Sequence, residues 1–326
     1  MANKLNIVQA VNQALMNEME NDETVVVYGE DVGLEGGVFR ATVGLQEKFG
    51  EMRSFDAPLA ESAIVGTAVG MAVNGLKPVV ELQFMGFSYP AFNQIISHVA
   101  RMRNRTRGRF TLPMVIRAPY GGGIRALEHH SESTEAIYAQ IPGLKVVIPS
   151  TPYDTKGLLI AAIRDPDPVL FLEPKRIYRA FRQDVPEEAY VLPIGKARIV
   201  EEGEDITIVT WGAMVRDVQK ANEMVKTKGI NAEIIDLRTI SPIDRETIAN
   251  SIKKTGRIIV VHEAPKTLGV GAEIMALANE EAFLYLEAPP TRITGFDTIF
   301  PLPRGEKHYI PSPERIAKTI EDIVKY

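Results

Sequence analysis

The 326-residue sequence contains no cysteine. That absence removes disulfides, thiol nucleophiles, zinc–thiolate sites and iron–sulfur clusters, and it accords with a reducing compartment. Long hydrophobic runs are missing as well. The longest uncharged stretch, Leu82 to Ala100, includes Gln83, Ser88, Pro90, Asn93, Gln94, Ser97 and His98, and is too polar for a bilayer span. The opening residues set Leu5, Val8, Val11 and Leu15 at helical spacing between polar ones. A signal peptide has an unbroken apolar segment instead, so a soluble, cytoplasmic protein without membrane association is expected. Neither sign of charge dominates: 37 Lys+Arg against 42 Asp+Glu leave a net charge of −5, which argues against whole-protein attraction to nucleic acid or anionic lipid. There is no short internal repeat and no low-complexity tract. What is present is ordinary for a globular chain, 45% hydrophobic and 24% charged. At about 150 residues per domain, the length suggests roughly two domains.

The first 180 residues alternate β-branched runs with helical patterns. Candidate strands are 25–29, 78–84, 113–119, 145–150 and 169–174; candidate helices lie near 62–74, 89–103, 132–140 and 153–164. Continuously apolar strands separated by helices predict a mainly parallel sheet covered on both faces. Gly66 and Gly70 share one face of the helix at 62–74, a pattern that predicts close helix packing. Residues 181–195, FRQDVPEEAYVLPIG, break the rhythm with two prolines and three acidic side chains and read as a linker. Alternation then resumes with strands at 206–212, 232–239, 257–264 and 291–295 and helices at 215–228, 244–254, 272–282 and 312–324. The predicted organisation is an α/β domain over 1–180, a linker over 181–195 and a smaller α/β domain over 196–326.

Ligands of parallel α/β sheets sit beyond the carboxyl ends of the strands, so the residues there are the candidates for chemistry. GEDVG (29–33) sets Glu30 and Asp31 in a glycine-rich turn, able to hold a cation or to accept hydrogen bonds from a ligand, or simply a polar loop. Glu61 opens an apolar helix, where the helix dipole favours a carboxylate; small apolar neighbours also suit a carboxyl of perturbed proton affinity. Phe84, Phe87, Tyr89 and Phe92 follow a buried strand and either stack on a planar heterocycle or fill the core. Three glycines at 121–123 precede His129 and His130, where one histidine acting as a proton donor fits better than a metal pair, or the two form simply an exposed loop pair. The alternating Arg101, Arg103, Arg105, Arg107 and Arg109 lack interleaved aromatics and read as a charged helix end meeting a partner subunit or an anionic ligand. GVGA (269–272) has Ile274 where a dinucleotide fingerprint needs glycine, and reads as a tight strand-to-helix connection.

In combination these motifs resemble the beta subunit of the decarboxylating component of 2-oxoacid dehydrogenase complexes, a thiamine diphosphate enzyme related to transketolase. The resemblance runs nearly end to end, through GEDV (29–32), FDAPLAES (55–62), ELQF (81–84), YPAFNQI (89–95), PGLKVVIPS (142–150), EPKRIYRA (173–180), DLRTISPID (236–244), TGRIIVVHEA (255–264) and EAP (287–289). It implies a pyrimidine-binding domain followed by a transketolase-type C-terminal domain. It assigns Glu61 the position of the glutamate that hydrogen-bonds the cofactor's aminopyrimidine ring and favours its imino tautomer. It places Phe87 against the pyrimidine and Glu30 among the cofactor-binding residues. His130 takes the position of the histidine that assists acyl transfer to a lipoyl group, while His129 has no such counterpart. Arg125 departs from the family pattern in the loop before it.

The resemblance implies further groups outside this chain's side chains. Many relatives hold a potassium ion largely through main-chain carbonyls, and the matching positions are Met114, Ala162, Ile163, Asp165 and Asp167, the last standing where asparagine is usual. The GDG motif that anchors the diphosphate through magnesium is absent, so those ligands are expected on an alpha subunit. Two copies of each would form a heterotetramer, serving a lipoyl-bearing acyltransferase core. HEAP, EPKRIYRA, YPAFNQI and the terminal Lys-Tyr lean towards branched-chain 2-oxoacids over pyruvate. Half of a split transketolase or deoxyxylulose-phosphate synthase, or a non-catalytic scaffold subunit, are the alternatives.

Overall fold

Asn6 caps the first helix, and the reason is visible in its side chain. Its amide oxygen accepts the Gln9 N–H (3.0 Å), while the Gln9 side chain accepts the Asn6 N–H (3.2 Å), a reciprocal cap that satisfies two otherwise orphaned donors. The computed structural model describes residues 2–326. These divide into two units, one ending at Tyr120 and resuming over Ile137–Ile194, the other comprising Gly121–Ala136 and Gly195–Tyr326.

The elements of the first unit are β1 (Ala2–Leu5), α1 (Ile7–Asn21), β2 (Val25–Gly29), α2 (Leu45–Phe49), β3 (Ser54–Asp56), α3 (Glu61–Val73), β4 (Lys77–Glu81), α4 (Phe92–Gln94), α5 (Met102–Arg105) and β5 (Val115–Tyr120). After α6 (Glu135–Ala139), whose first two residues are assigned to the second unit, come β6 (Lys145–Val147), α7 (Pro152–Arg164), β7 (Val169–Pro174) and β8 (Gln183–Pro186). Strands of this unit lie in the order β6-β7-β5-β4-β2-β3, each pair parallel. Every residue of β2, β5 and β7 is buried, as expected for strands covered on both faces. Thr151 caps α7 and Pro152 occupies its first turn, where a missing amide proton costs nothing.

Three local expectations meet a different outcome. The pattern at 89–103 is not one helix. It is a 3-10 segment, Met85–Ala91, then α4, a π-turn over Ile95–Val99, and α5. Pro90 has no amide proton to donate, and the Ala100 N–H reaches back five residues to the Ile95 carbonyl (3.0 Å). Within 181–195, β8 pairs antiparallel with β1, and Lys156 Nζ donates to the carbonyls of Pro186, Glu187 and Glu188 at 2.6, 2.8 and 3.0 Å. The prolines and acids that break periodicity there bend the chain around this lysine. Gly70 meets open space and Gly66 makes ordinary contact with Gln94, so close packing within this chain does not explain that glycine pair.

The second unit contains β9 (Arg198–Glu201), β10 (Ile206–Thr210), α8 (Met214–Lys226), β11 (Ala232–Asp236), β12 (Thr239–Ser241), α9 (Arg245–Thr255), β13 (Ile258–Val261), α10 (Val270–Ala282), β14 (Thr291–Ile293), α11 (Glu306–Tyr309) and α12 (Pro313–Ile323). Its five-stranded sheet runs β14-β13-β10-β11-β9, parallel except for the edge strand β9. Ile206, Ile208, Ile234 and Ile259 from the strands pack with Val218, Val225, Ile316 and Ile320 from α8 and α12. No helix among the described residues is long and apolar enough to cross a membrane.

Candidate active site

In the first unit, the carboxyl ends of β2 and β4 and the start of α3 gather the predicted acids. Glu61 is the first residue of α3, with an uncapped N-terminus behind it. It is 9% exposed, and its carboxylate has no hydrogen-bond partner among the described residues. Glu30 follows β2, and its carboxyl is raised above the ordinary range by burial first, then by the charges of Glu61 and Asp31. The two acids therefore face a common region. Asp31 is engaged elsewhere. It stands in left-handed backbone (φ 57) and accepts the Gln83 side-chain amide at 3.1 Å.

The loop after β2 is held over this region by defined bonds. Asp56 accepts the Gly33 N–H (2.7 Å) and the Leu34 N–H (3.3 Å), and the Thr42 hydroxyl donates to the Val32 carbonyl (2.8 Å). Gly37 has φ 80, and a Cβ there would lie 3.1 Å from a Glu81 carboxylate oxygen, so backbone passes closely above that acid.

Glu81 belongs to a buried charge cluster that pattern reading missed. Arg117 Nη1 donates to Glu81 (2.9 Å), Arg117 Nε donates to Glu173 (2.7 Å), and the Tyr178 hydroxyl donates to Glu173 (2.5 Å). Burial works to discharge Arg117, but Glu173 and Glu81 outweigh it and hold the guanidinium above its usual range. Burial also raises Tyr178, with Glu173 adding to the effect. The cluster ties β4, β5 and β7 together beneath the loop that carries Glu30.

The aromatics differ in burial. Phe84 is buried between Phe39 (5.4 Å) and Phe87 (5.5 Å), both in edge contact, and Phe92 packs on Tyr138 (5.7 Å). Phe87 is half-buried and Tyr89 is exposed. Phe87 thus has a partly open ring on the 3-10 segment after β4.

In the second unit, the histidine loop spans Gly121–Ala136. His130 closes a 3-10 turn, Glu128–His130, and is half-buried while His129 is exposed. The Ser131 hydroxyl donates to the Leu127 carbonyl (3.0 Å), and the Gly121 N–H donates to the Glu132 carbonyl (3.0 Å). Arg125, at φ 59, donates its N–H to Glu306 (3.1 Å).

A second cluster lies in this unit and was also missed. Trp211 stacks on His262 with ring centres 5.3 Å apart, and its indole N–H donates to Glu135 (3.3 Å). Gly269 and Gly271 seat the imidazole: a Cβ on either would fall within 2.9 Å of a His262 ring atom. The GVGA turn is therefore a structural seat. Burial, then the charge of Arg292, lowers His262 to about 4, so its ring is neutral near pH 7.

Family models match both units: "Transketolase, pyrimidine binding domain" over residues 3–180 and "Transketolase, C-terminal domain" over 195–316. A pyruvate dehydrogenase E1 component subunit beta of Acholeplasma laidlawii is 61% identical over 98% of both chains. Its Bacillus subtilis counterpart is 51% identical over 99% of both. The chain belongs to the thiamine diphosphate-dependent 2-oxoacid dehydrogenase beta-subunit family, within the transketolase-like proteins. Among solved structures, an inactive tetramer of a split-gene transketolase matches with TM-score 0.81 at 21% identity, covering 98% of this chain and 99% of that one. That likeness shows the fold alone. The sequence lean towards branched-chain substrates finds no support in the quoted relatives of this beta-subunit family, which carry pyruvate names.

Of the cation positions expected in this beta subunit, the side chains are already committed. The Asp165 carboxylate binds Lys145 Nζ (2.5 and 2.7 Å) and Asp167 binds Arg103 Nε (2.5 Å). The Met114 carbonyl accepts the Val169 N–H (3.0 Å) and the Ala162 carbonyl accepts the Asp165 N–H (3.3 Å). Ile163 lies in α7, next to Ala162. Carbonyl lone pairs are what these positions have left to offer a monovalent ion.

Proposed function

We propose that this chain is the beta subunit of a pyruvate dehydrogenase E1 component, acting in thiamine diphosphate-dependent oxidative decarboxylation and transfer of the acyl group to lipoamide. The observation that carries the reading is the 61% identity across 98% of both chains to a protein of that name. The bound cofactor would supply the electron sink for decarboxylation. Glu61 fits it, because an unpartnered carboxylate at the edge of an apolar helix suits a ring nitrogen that carries a proton. Phe87 would present its open ring to the pyrimidine. Glu30, its carboxyl raised by burial and then by the charges of Glu61 and Asp31, would stand beside Glu61 at the cofactor. His130 would serve as proton donor in the acyl-transfer step.

The diphosphate and its magnesium would be held by an alpha subunit in a heterotetramer of two alpha and two beta chains, with a lipoyl-bearing acyltransferase core as the acceptor. Potassium, where present, would sit on the carbonyls of Met114, Ala162 and Ile163 with the Asp165 and Asp167 backbone. The test is co-expression with the alpha partner and assay on pyruvate and 3-methyl-2-oxobutanoate. Decarboxylation should be absent from this chain alone, present in the assembled enzyme and faster on pyruvate. Glu61→Gln should lower kcat by roughly 100-fold or more with the assembly intact; full turnover in that variant sinks the role given to Glu61.

A further inference from the structure

The histidine loop meets the body of the second unit at four places. A Cβ on Gly121 would overlap the Glu263 carboxylate, and one on Gly122 would overlap the Phe300 ring, so both glycines lie flat against those groups. Arg125 donates its N–H to Glu306 (3.1 Å), and Glu135 accepts the Trp211 indole N–H (3.3 Å). On either side of the Arg125 anchor, Ile124 and Leu127 are exposed. The position of His130 therefore depends on how firmly the two ends of the loop are seated.

One anchor can change its charge. Glu135 is completely buried, and its Oε2 has no hydrogen-bond partner. Burial, and then the neighbouring Glu263 carboxyl, push Glu135 up to about 7. The titratable groups around it supply no compensating cation. Tyr309 on α11 keeps its proton, raised to about 12 by burial and by Glu263, Glu135 and Asp297. His262, behind Trp211, is neutral, and the Arg292 charge acts on that histidine. Ionising Glu135 thus sets a second negative charge beside Glu263 in a buried place, where such repulsion is strong.

We propose that Glu135 is a positioning residue for the histidine loop: neutral, it seats the loop against Trp211; ionised, it repels Glu263 and loosens the seat, slowing the step that His130 serves. The proposal rests on the acyl-transfer role given to His130 above. It concerns the second half-reaction, so decarboxylation should not share the effect.

The experiment uses the assembled alpha–beta enzyme. Acyl transfer to an isolated lipoyl domain and decarboxylation with ferricyanide as electron acceptor are followed in parallel between pH 6 and 8.5. In the wild type, acyl transfer should fall about tenfold per pH unit above about 7, while decarboxylation lacks that limb. Glu135→Gln keeps the acceptor for Trp211 without a charge, and should retain the rate of the acid plateau and abolish the limb. Trp211→Phe removes a donor that favours the ionised carboxylate, so it should move the limb to higher pH; it also serves if the glutamine variant fails to fold. A limb unchanged in both variants, or one shared by decarboxylation, overturns the proposal. His130→Ala separates the two readings. If it leaves acyl transfer intact, the role of His130 itself fails; if it abolishes transfer while Glu135→Gln keeps the limb, the Glu135 proposal alone fails.

Discussion

Each unit buries acidic side chains near the carboxyl ends of its strands, and the two units neutralise them differently. In the first, Arg117 stands on β5 between Glu81 on β4 and Glu173 on β7, and each carboxylate binds a different guanidinium nitrogen. In the second, Glu135 lies beside Glu263 with an indole N–H as its donor and no cation acting on it. A carboxylate taken out of water needs either a partner of opposite charge or a proton. The first unit supplies the partner; the second supplies none, and Glu135 keeps its proton up to about pH 7. In the first, burial still raises the Glu81 carboxyl above its ordinary range, with Arg117 acting against it; in the second, Glu135 titrates at about 7.

The sharpest test of this contrast is Arg117→Met. It leaves two carboxylates buried without their cation and should cost about 3–5 kcal/mol of stability, read by urea denaturation of the chain. A loss under about 1 kcal/mol would mean that the acids there are already neutral, and the contrast would fall.

Next in size is the pH dependence of the second unit. Folded Glu135 holds its proton up to about pH 7 against an ordinary value of 4.5, so the unfolded chain binds fewer protons in that window. Stability should therefore fall as pH rises through it, by about 3 kcal/mol in total, and Glu135→Gln should remove this dependence. His262 acts in the opposite sense: its ordinary value of 6.5 drops to about 4 on folding. The unfolded chain binds more protons between those values, and stability is lost as pH falls through them, again by about 3 kcal/mol. Because the windows overlap, the wild type should show a flat profile between roughly pH 4.5 and 6.5. His262→Gln should turn that plateau into a continued rise in stability on acidification. Denaturation curves for the three proteins across this range decide it.

Gly122→Ala drives a methyl group into the Phe300 ring and should cost about 1–3 kcal/mol, with the acyl-transfer rate falling further than decarboxylation. Tyr178→Phe is the mildest. It deletes the hydroxyl bonded to Glu173 for about 1 kcal/mol, since Arg117 still holds the carboxylate; a loss as large as that of Arg117→Met would show that the tyrosine, not the arginine, sustains the first cluster.

Much of the architecture was legible because it is local. The β-branched runs at Val25–Gly29 and Val169–Pro174 became strands with those bounds, and the helical patterns near 153–164 and 312–324 became α7 and α12. The segment at 89–103 was not, because a π-turn keeps nearly the same apolar spacing as an α-helix while changing its hydrogen bonds. Nor was β8, whose pairing partner β1 lies some 180 residues earlier and whose own residues carry no alternation. Glu30 and Glu61 could be singled out because one follows a strand and the other opens a helix, whereas only the family resemblance separated Phe87 and His130 from their neighbours. Glu135 could not: it reads as an ordinary first-turn glutamate, and its neighbours Trp211 and Glu263 are far along the chain.

By itself the sequence determined the alternation of strands and helices, the absence of thiol chemistry and the order of motifs that identifies the family. These depend on residue type and spacing over a few turns of chain. The tertiary structure alone decided which buried acids meet a cation and which do not. Proton affinity in a buried site is set by which groups lie within a few ångströms in space, and Glu81 meets Arg117, as Glu135 meets Trp211, only when distant strands are laid side by side.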